Sequence, residues 1–356
     1  MTTYLLAGGG TAGHVNPLLA VADRLRELDP TAQLLILGTA EGLEARLVPA
    51  RGYELLVIEK LPFPRRLNRQ SVSFLPRLRR AIRVTAGIIT DRSVDVVVGF
   101  GGYASAPAYL AARNTKTALV LHEANAKPGL ANRLGSRISS RVGVAFAGTP
   151  LRHARFVGMP LRREIETLDP AARRDEAVTF FGLDPNRPTV LVTGGSLGAR
   201  RLNATIAESV RAIIDTGYQV LHIQGGNAAV ADQQLEHYRL VDYCDRMELA
   251  LAVADLAVSR AGAATVCELS ALGIPAVYVP YPVGNGEQRF NARGVVEAGG
   301  ALLVEDASFV PDWVRTELVP LLRDSARLRG MSRRAASVGV RDGSARMVEL
   351  VHSAHS

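Results

Sequence analysis

Two cysteines in 356 residues, one tryptophan and an aromatic content of 5% leave little material for a disulfide framework or an aromatic-rich surface. Cys244 and Cys267 form neither a metal-ligand spacing nor a disulfide pattern, which fits a reducing compartment and two inert packing residues. A basic leader is missing too. The first charged residue is Asp23, and Gly8, Gly9, Gly10 and His14 interrupt the apolar run before it, which argues against a secretory signal. Long membrane-type runs are also lacking. The uncharged stretch 269–286 carries Gly273, Pro275, Pro280, Pro282 and Gly284 and reads as a buried strand with loops.

What is present is a globular balance, 47% apolar and 21% charged, sufficient for a substantial core and long enough for two domains. The net charge of +8 points to an anionic partner. Its distribution is uneven. No acid occurs between Lys60 and Asp91, whereas Arg65, Arg66, Arg69, Arg77, Arg79, Arg80 and Arg83 do, interleaved with Phe63, Leu67, Phe74, Leu75, Leu78 and Ile82. Leu75, Leu78 and Ile82 share one helical face. Three readings stand: a helix lying on an anionic bilayer surface, a solvated helix whose apolar face joins the core, and a nucleic-acid surface that lacks any recognised motif.

The run Leu5-Leu6-Ala7-Gly8-Gly9-Gly10-Thr11-Ala12-Gly13-His14 reads as a strand, a glycine loop and a helix start, with Pro17 placed in the first turn. Such a junction offers free backbone N–H groups and a positive dipole end, which suit phosphate. His14 adds a titratable group at that position. Gly8-x-Gly10-x-x-Gly13 also matches a dinucleotide fingerprint. The second strand, however, ends Leu37-Gly38-Thr39 without the acid that a nicotinamide or flavin enzyme needs for the ribose, and Glu41 arrives only in the loop.

Strand-like runs at 33–37, 54–58, 95–98, 118–122 and 141–145 alternate with helical patterns at 43–50, 75–89, 106–114 and 129–137. Around Phe156-Val157-Gly158-Met159-Pro160 the pattern pauses, and a polar, charged stretch follows to Pro188. It restarts with Thr189-Val190-Leu191-Val192-Thr193 and the loop Gly194-Gly195-Ser196-Leu197-Gly198-Ala199. Further strands fall at 219–224, 256–259, 275–279 and 301–304. This is an α/β chain of two Rossmann-like domains with parallel sheets. Facing each other across an interdomain cleft, they would make the GT-B fold of nucleotide-sugar glycosyltransferases. The expected division is 1–158 and 159–337, with a C-terminal helix at about 338–356 returning to the first domain.

Six motifs in order then carry a resemblance: Gly9-Gly10-Thr11-Ala12-Gly13-His14, Gly99-Phe100-Gly101-Gly102-Tyr103, His122-Glu123-Ala124-Asn125, 194–199, Ser259-Arg260-Ala261-Gly262-Ala263 through Glu268, and Gln288-Arg289-Phe290-Asn291-Ala292. Over nearly the whole chain it resembles the bacterial MurG-type glycosyltransferases of family 28, which add N-acetylglucosamine to the lipid-linked muramyl-peptide precursor of peptidoglycan. Ala12 and Ala124 depart from the glycine and glutamine usual there.

The resemblance implies a UDP-GlcNAc-dependent hexosyltransferase of cell wall biogenesis, serving cell shape and division from the cytoplasmic face of the cell membrane. It implies donor binding by Arg162, Ser196, Asn203, Tyr243, Cys244, Ala263, Ala264, Thr265, Glu268, Gln288 and Asn291. Glu268 would hold the ribose hydroxyls, Thr265 would cap its helix beside the diphosphate, and Gln288 and Asn291 would read the sugar. Asn203 matches a cleft position and otherwise reads as a helix-surface amide. Thr11, Ala12, Gly13, His14, Tyr103 and Asn125 would form the acceptor side, while His122 and Glu123 read as strand-end structure. The implied chemistry is inverting attack by the muramyl C4 hydroxyl on UDP-GlcNAc. His14 is either the general base or a group that orients the acceptor diphosphate.

No two aspartates are spaced Asp-x-Asp, so neither cofactor nor metal is expected at the sugar diphosphate. Expected partners are UDP-GlcNAc, the lipid-linked muramyl-pentapeptide, an anionic membrane surface and other cell-wall synthesis proteins, with no nucleic acid. The rival readings are another GT-B glycosyltransferase or a UDP-GlcNAc 2-epimerase, which needs no lipid acceptor.

Overall fold

The computed structural model describes residues 1–61, 69–195, 198–226, 230–283 and 285–354, the side chains of 69–72 excepted. Ser196, the Leu197 amide, Phe63, Arg65, Arg66, Leu67 and the Arg69 side chain therefore lie outside the described residues. The chain divides into two compact units, one formed by 1–162 with 341–356 and the other by 163–340.

The first unit alternates strand and helix: β1 (Thr3–Ala7), α1 (Ala12–Leu28), β2 (Gln33–Gly38), α2 (Glu44–Ala50), β3 (Glu54–Val57), α3 (Arg69–Asp91), β4 (Val96–Gly99), α4 (Ser105–Thr115), β5 (Ala118–Glu123), α5 (Leu130–Gly135), β6 (Arg141–Val144) and β7 (Ala154–Phe156). The strands form one parallel sheet in the order β3-β2-β1-β4-β5-β6-β7. Strand side chains alternate between faces. Tyr4 and Leu6 of β1 join a core cluster with Val15, Leu18 and Leu25 of α1, while Leu5 and Ala7 join another with Tyr109 and Ala112 of α4. Burial on both faces explains why these strands read as continuous apolar runs.

The second unit begins with α6 (Arg163–Glu166) and α7 (Pro170–Phe181) and continues with β8 (Thr189–Thr193), α8 (Arg200–Ile214), β9 (Gln219–Ile223), β10 (Tyr238–Val241), α9 (Met247–Val253), β11 (Ala254–Ser259), α10 (Ala263–Ala271), β12 (Ala276–Tyr278), α11 (Glu287–Glu297) and β13 (Ala301–Leu303). Short helices α12 (Pro311–Trp313) and α13 (Val319–Arg323) precede α14 (Ser325–Val338). Its parallel sheet runs β10-β9-β8-β11-β12-β13. After 340 the chain returns to the first unit, where α15 (Gly343–His352) packs beside α1 through Met347, Val348 and Val351.

Three readings of the sequence need correction. The pause before Pro188 holds a helix, because Asp169 accepts from the Ala171 and Ala172 amides and starts α7, with Pro170 at its first position. Pro17 lies in the second turn of α1, since the helix already begins at Ala12. The basic segment is divided in its environment. Ala81, Thr85 and Ile89 of α3 are buried, whereas Leu75 is 58% exposed and Arg79, Arg80 and Arg83 face solvent. Arg77 is not free with them, because its guanidinium pairs with Glu59 at 2.7 Å.

Candidate functional site

In an open parallel sheet the ligand crevice lies beyond the carboxyl ends of the strands, where the strand order reverses. Each unit has one such point, at β1/β4 in the first and β8/β11 in the second. The glycine-rich loops sit there for a topological reason.

In the first unit the loops after β1 and β4 interlock. Gly102 has φ +85°, and a side chain there would strike the Gly9 carbonyl, so two backbones meet without side chains between them. A Cβ on Gly101 would come within 3.2 Å of His14 Cδ2 and Nε2. His14 is half-buried at the third position of α1, its Nδ1 3.3 Å from Thr11 Oγ1. Burial lowers its pKa below 6.5 and outweighs the opposing pull of the Glu123 and Glu44 carboxylates. The imidazole is thus mostly neutral at neutral pH. Thr11 is exposed, and its hydroxyl turns to His14 rather than capping α1. Ala12 and Gly13 are half-buried beside it. Tyr103 is 37% exposed with Lys60 Nζ 5.5 Å from its ring centre.

Two buried carboxylates brace these loops. Glu123 accepts from the Asn125 amide at 2.8 Å, the Gly129 amide at 3.0 Å and Asn132 Nδ2 at 2.9 Å. His122, fully buried, donates from Nε2 to the Gly158 carbonyl at 3.0 Å, and burial depresses its pKa to about 4. These two are the strand-end structure that the sequence suggests. Asn125 stays half-exposed.

Glu44, which the sequence reading passed over, is the second brace. It is 1% exposed and accepts from the Gly10 amide at 2.8 Å, the Thr39 amide at 2.9 Å and Thr39 Oγ1 at 2.8 Å. Burial pushes its pKa up, but those donors prevail and hold it below the ordinary value. Charge-assisted hydrogen bonds of this kind are worth about 1.5–3 kcal/mol each. Sequence offered one hint, an acid following Gly38-Thr39 and Gly42 closely. A consequence is that the Gly10 amide faces Glu44 and is not offered to a ligand. The remaining anion donors of this junction are the first amides of α1.

In the second unit, α10 begins at Ala263 after Gly262 with no side-chain cap, so no side chain takes its first-turn amides. Thr265 is therefore the third helical residue and not the cap. Ala263 is 7% exposed, Ala264, Thr265 and Glu268 are half-buried, and Glu268 stands one turn further along. Tyr243 is 49% exposed beside the buried Cys244. Arg162 is half-buried at the end of the first unit's main segment.

Asn203 and Asn291 are not open to a ligand. Asn203 is fully buried; its Nδ2 donates to the Gln224 carbonyl at 2.9 Å and its Oδ1 lies 3.2 Å from His222 Nε2. His222 Nδ1 in turn meets the Tyr238 hydroxyl at 2.9 Å. This relay fixes the loop after β9, whose Gly225 packs directly on the Gly195 and Gly198 backbone. Asn291 is 1% exposed and donates to the Ala261 carbonyl at 3.3 Å. Gln288, half-buried, accepts from the Tyr281 amide at 2.9 Å. Spacing placed both amides on one face of α11, where Asn291 is covered and Gln288 stays half-buried. Arg260, named in the sequence only within its motif, ties the end of β11 to the segments beyond β12 and β13 by donating to the Val279 carbonyl at 3.0 Å and pairing with Asp306 at 2.6 Å.

Residues 4–144 match the glycosyltransferase family 28 N-terminal domain, and 189–347 match the family's C-terminal domain. A protein of Leifsonia xyli subsp. xyli named UDP-N-acetylglucosamine--N-acetylmuramyl-(pentapeptide) pyrophosphoryl-undecaprenol N-acetylglucosamine transferase is 65% identical over 99% of both chains. The crystal structure of Acinetobacter baumannii MurG superimposes with a TM-score of 0.80 at 25% identity, covering 99% of this chain and 100% of that one. A UDP-GlcNAc 2-epimerase from Neisseria meningitidis bound to UDP-GlcNAc gives a TM-score of 0.69 at 14% identity over 99% and 100% of the chains, a likeness of fold alone.

Proposed function

Because the chain belongs to glycosyltransferase family 28 and has its GT-B fold, we propose that it moves N-acetylglucosamine from UDP-GlcNAc to the C4 hydroxyl of a lipid-linked muramyl-pentapeptide. The transfer builds the disaccharide precursor of peptidoglycan. The observation that carries this reading is the 65% identity over 99% of both chains to a transferase of that name. The likeness to an epimerase, at 14% identity, extends only to the fold.

On this reading the acceptor belongs to the first unit. The first-turn amides of α1, with Thr11, Ala12 and Gly13, receive its diphosphate, and Tyr103 and Asn125 flank it. The donor belongs to the second unit. The amides of Ala263, Ala264 and Thr265 at the start of α10 hold its diphosphate together with Ser196, Glu268 accepts from both ribose hydroxyls, and Arg162, Tyr243 and Cys244 lie on the uracil side. Gln288 meets the sugar, whereas Asn203 and Asn291 serve by fixing the loops around it.

The muramyl C4 hydroxyl gives its proton to His14 as its oxygen bonds to the anomeric carbon. The bond from that carbon to the UDP oxygen breaks on the opposite face, so the configuration inverts. A neutral imidazole suits the base role, and its lowered pKa supports it. Negative charge growing on UDP is met by helix amides and hydroxyls, with no metal required. No helix among the described residues is long and apolar enough to cross a membrane. Exposed Arg79, Arg80 and Arg83, with Leu75, support peripheral docking on an anionic leaflet.

The test supplies sugar-labelled UDP-GlcNAc with and without the lipid-linked muramyl-pentapeptide, in chelator and without it. The expected result is label in the lipid fraction only when acceptor is present, undiminished by chelation. Label isomerised in solution without acceptor would make the protein an epimerase, and a magnesium-reversible loss in chelator would refute the metal-free site.

A further inference from the structure

We propose that Glu44 is the positioning residue of the first glycine loop, holding the Gly10 amide from beneath and thereby setting where His14 stands. The carboxylate bridges two segments that the fold must keep in register. Its Oε2 takes the Gly10 N–H at 2.8 Å, and its Oε1 takes the Thr39 N–H at 2.9 Å and the Thr39 hydroxyl at 2.8 Å. Space is reserved for it: a Cβ on Gly9, Gly38 or Gly42 would collide with its side chain. The groups that hold its charge are those donors and its own backbone N–H.

Only Thr11 separates Gly10 from the first residue of α1, and His14 is the third. A turn of the Gly10 peptide therefore moves the imidazole directly. An apolar anchor could have packed this loop equally well. A buried carboxylate does something further, because its negative charge is felt at His14. The other groups facing the ring are Glu123 and His122 of β5, the Gly9 and Gly101 backbone and Thr11, while Lys60 lies beyond Tyr103. Glu44 thus both places the ring and biases its charge. Glu123 holds its own loop through separate donors.

The inference rests on the proposed reaction only for its kinetic arm. Its other arm follows the His14 imidazole by nitrogen-15 NMR titration, assigned with a His14→Gln variant, and needs no substrate. Glu44→Gln keeps the shape but removes the charge and points an amide at the Gly10 N–H. It should cut kcat at least about tenfold with the KM for UDP-GlcNAc within about twofold, and lower the His14 midpoint by roughly half a unit. Thr39→Val keeps the charge and the Gly10 contact, so it should leave that midpoint in place and reduce kcat less.

A Glu44→Gln protein with wild-type kcat and an unmoved His14 midpoint overturns the proposal. Equal damage to both substrates' KM with an unmoved midpoint also overturns it, since that marks a merely structural role. Should Glu44→Gln fail to fold, Glu44→Asp decides: its shorter arm cannot span Gly10 and Thr39, so wild-type kcat there refutes the bridge. A wild-type enzyme that fails to transfer sugar would instead defeat the function reading, leaving the titration arm intact.

Discussion

At the scale of single residues, burial and charge oppose each other around His14, and burial prevails. A base must be neutral to accept a proton, so activity persists as pH falls until the ring protonates, below its ordinary 6.5. The profile of kcat/KM against pH should accordingly show an acid limb with its midpoint under 6.5. His14→Ala should lose that limb and about 10²–10⁴ in kcat. A midpoint above 6.5 would mean that another group titrates. Asn203 acts differently, through neighbours. Asn203→Ala strands the Gln224 carbonyl and the His222 N–H in the core, at a cost of about 1–3 kcal/mol for each group left unpaired. Steady-state kinetics should find the KM for UDP-GlcNAc raised about tenfold and the acceptor KM within about twofold. The reverse pattern would remove Asn203 from the donor side.

At the scale of elements, each sheet buries one neutral histidine on a strand, His122 on β5 and His222 on β9, both with pKa depressed to about 4 by burial. The sign follows from linkage. Between pH 6.5 and about 4 the unfolded chain binds a proton that the folded one refuses. Stability is therefore complete above 6.5 and lost as pH falls toward 4, by about 3 kcal/mol for each ring. Trp313 is the chain's single tryptophan, packed 5.5 Å from the Phe309 ring centre in the second unit, so its fluorescence reports that unit alone. Urea unfolding followed at Trp313 should weaken across this window, and His222→Gln should flatten the dependence. An identical slope in both proteins would show that His222 does not govern it.

The same scale shows what the sequence made legible. β1, β4, β5 and β8 were readable because strands buried on both faces are nearly continuous apolar runs, and β1, β4 and β8 run into glycine. α7 was hidden because its buried stripe is only Ala177, Val178 and Phe181 among Arg173, Arg174, Asp175 and Glu176. β10 was missed as a short edge strand with a single well-buried residue, Tyr238. At the site, loop chemistry could be read but long-range pairing could not. Spacing places Asn203 and Asn291 on helix faces without saying what covers those faces. Nothing in the linear order of residues 10 and 44 announces that one holds the other.

For the whole molecule, the net charge of +8 matters through its arrangement. Arg77 is neutralised by Glu59, which leaves Arg79, Arg80 and Arg83 as the exposed cations of this part of α3. Each contributes about 1 kcal/mol near an anionic surface, less as salt rises. Replacing those three by glutamate should abolish cosedimentation with anionic vesicles at low salt while transfer to a detergent-dispersed acceptor continues. Vesicle binding that survives the triple change would place the docking surface elsewhere. Each sheet also carries one glycine-loop junction at its switch point.

The most direct test of the account is the configuration and position of the new linkage, read by proton NMR of the sugar product. In-line displacement aided by His14 predicts a β-linked N-acetylglucosamine on the muramyl O4, inverted from the α-linked donor. An α linkage, attachment at another oxygen, or N-acetylglucosamine released only to water would contradict it.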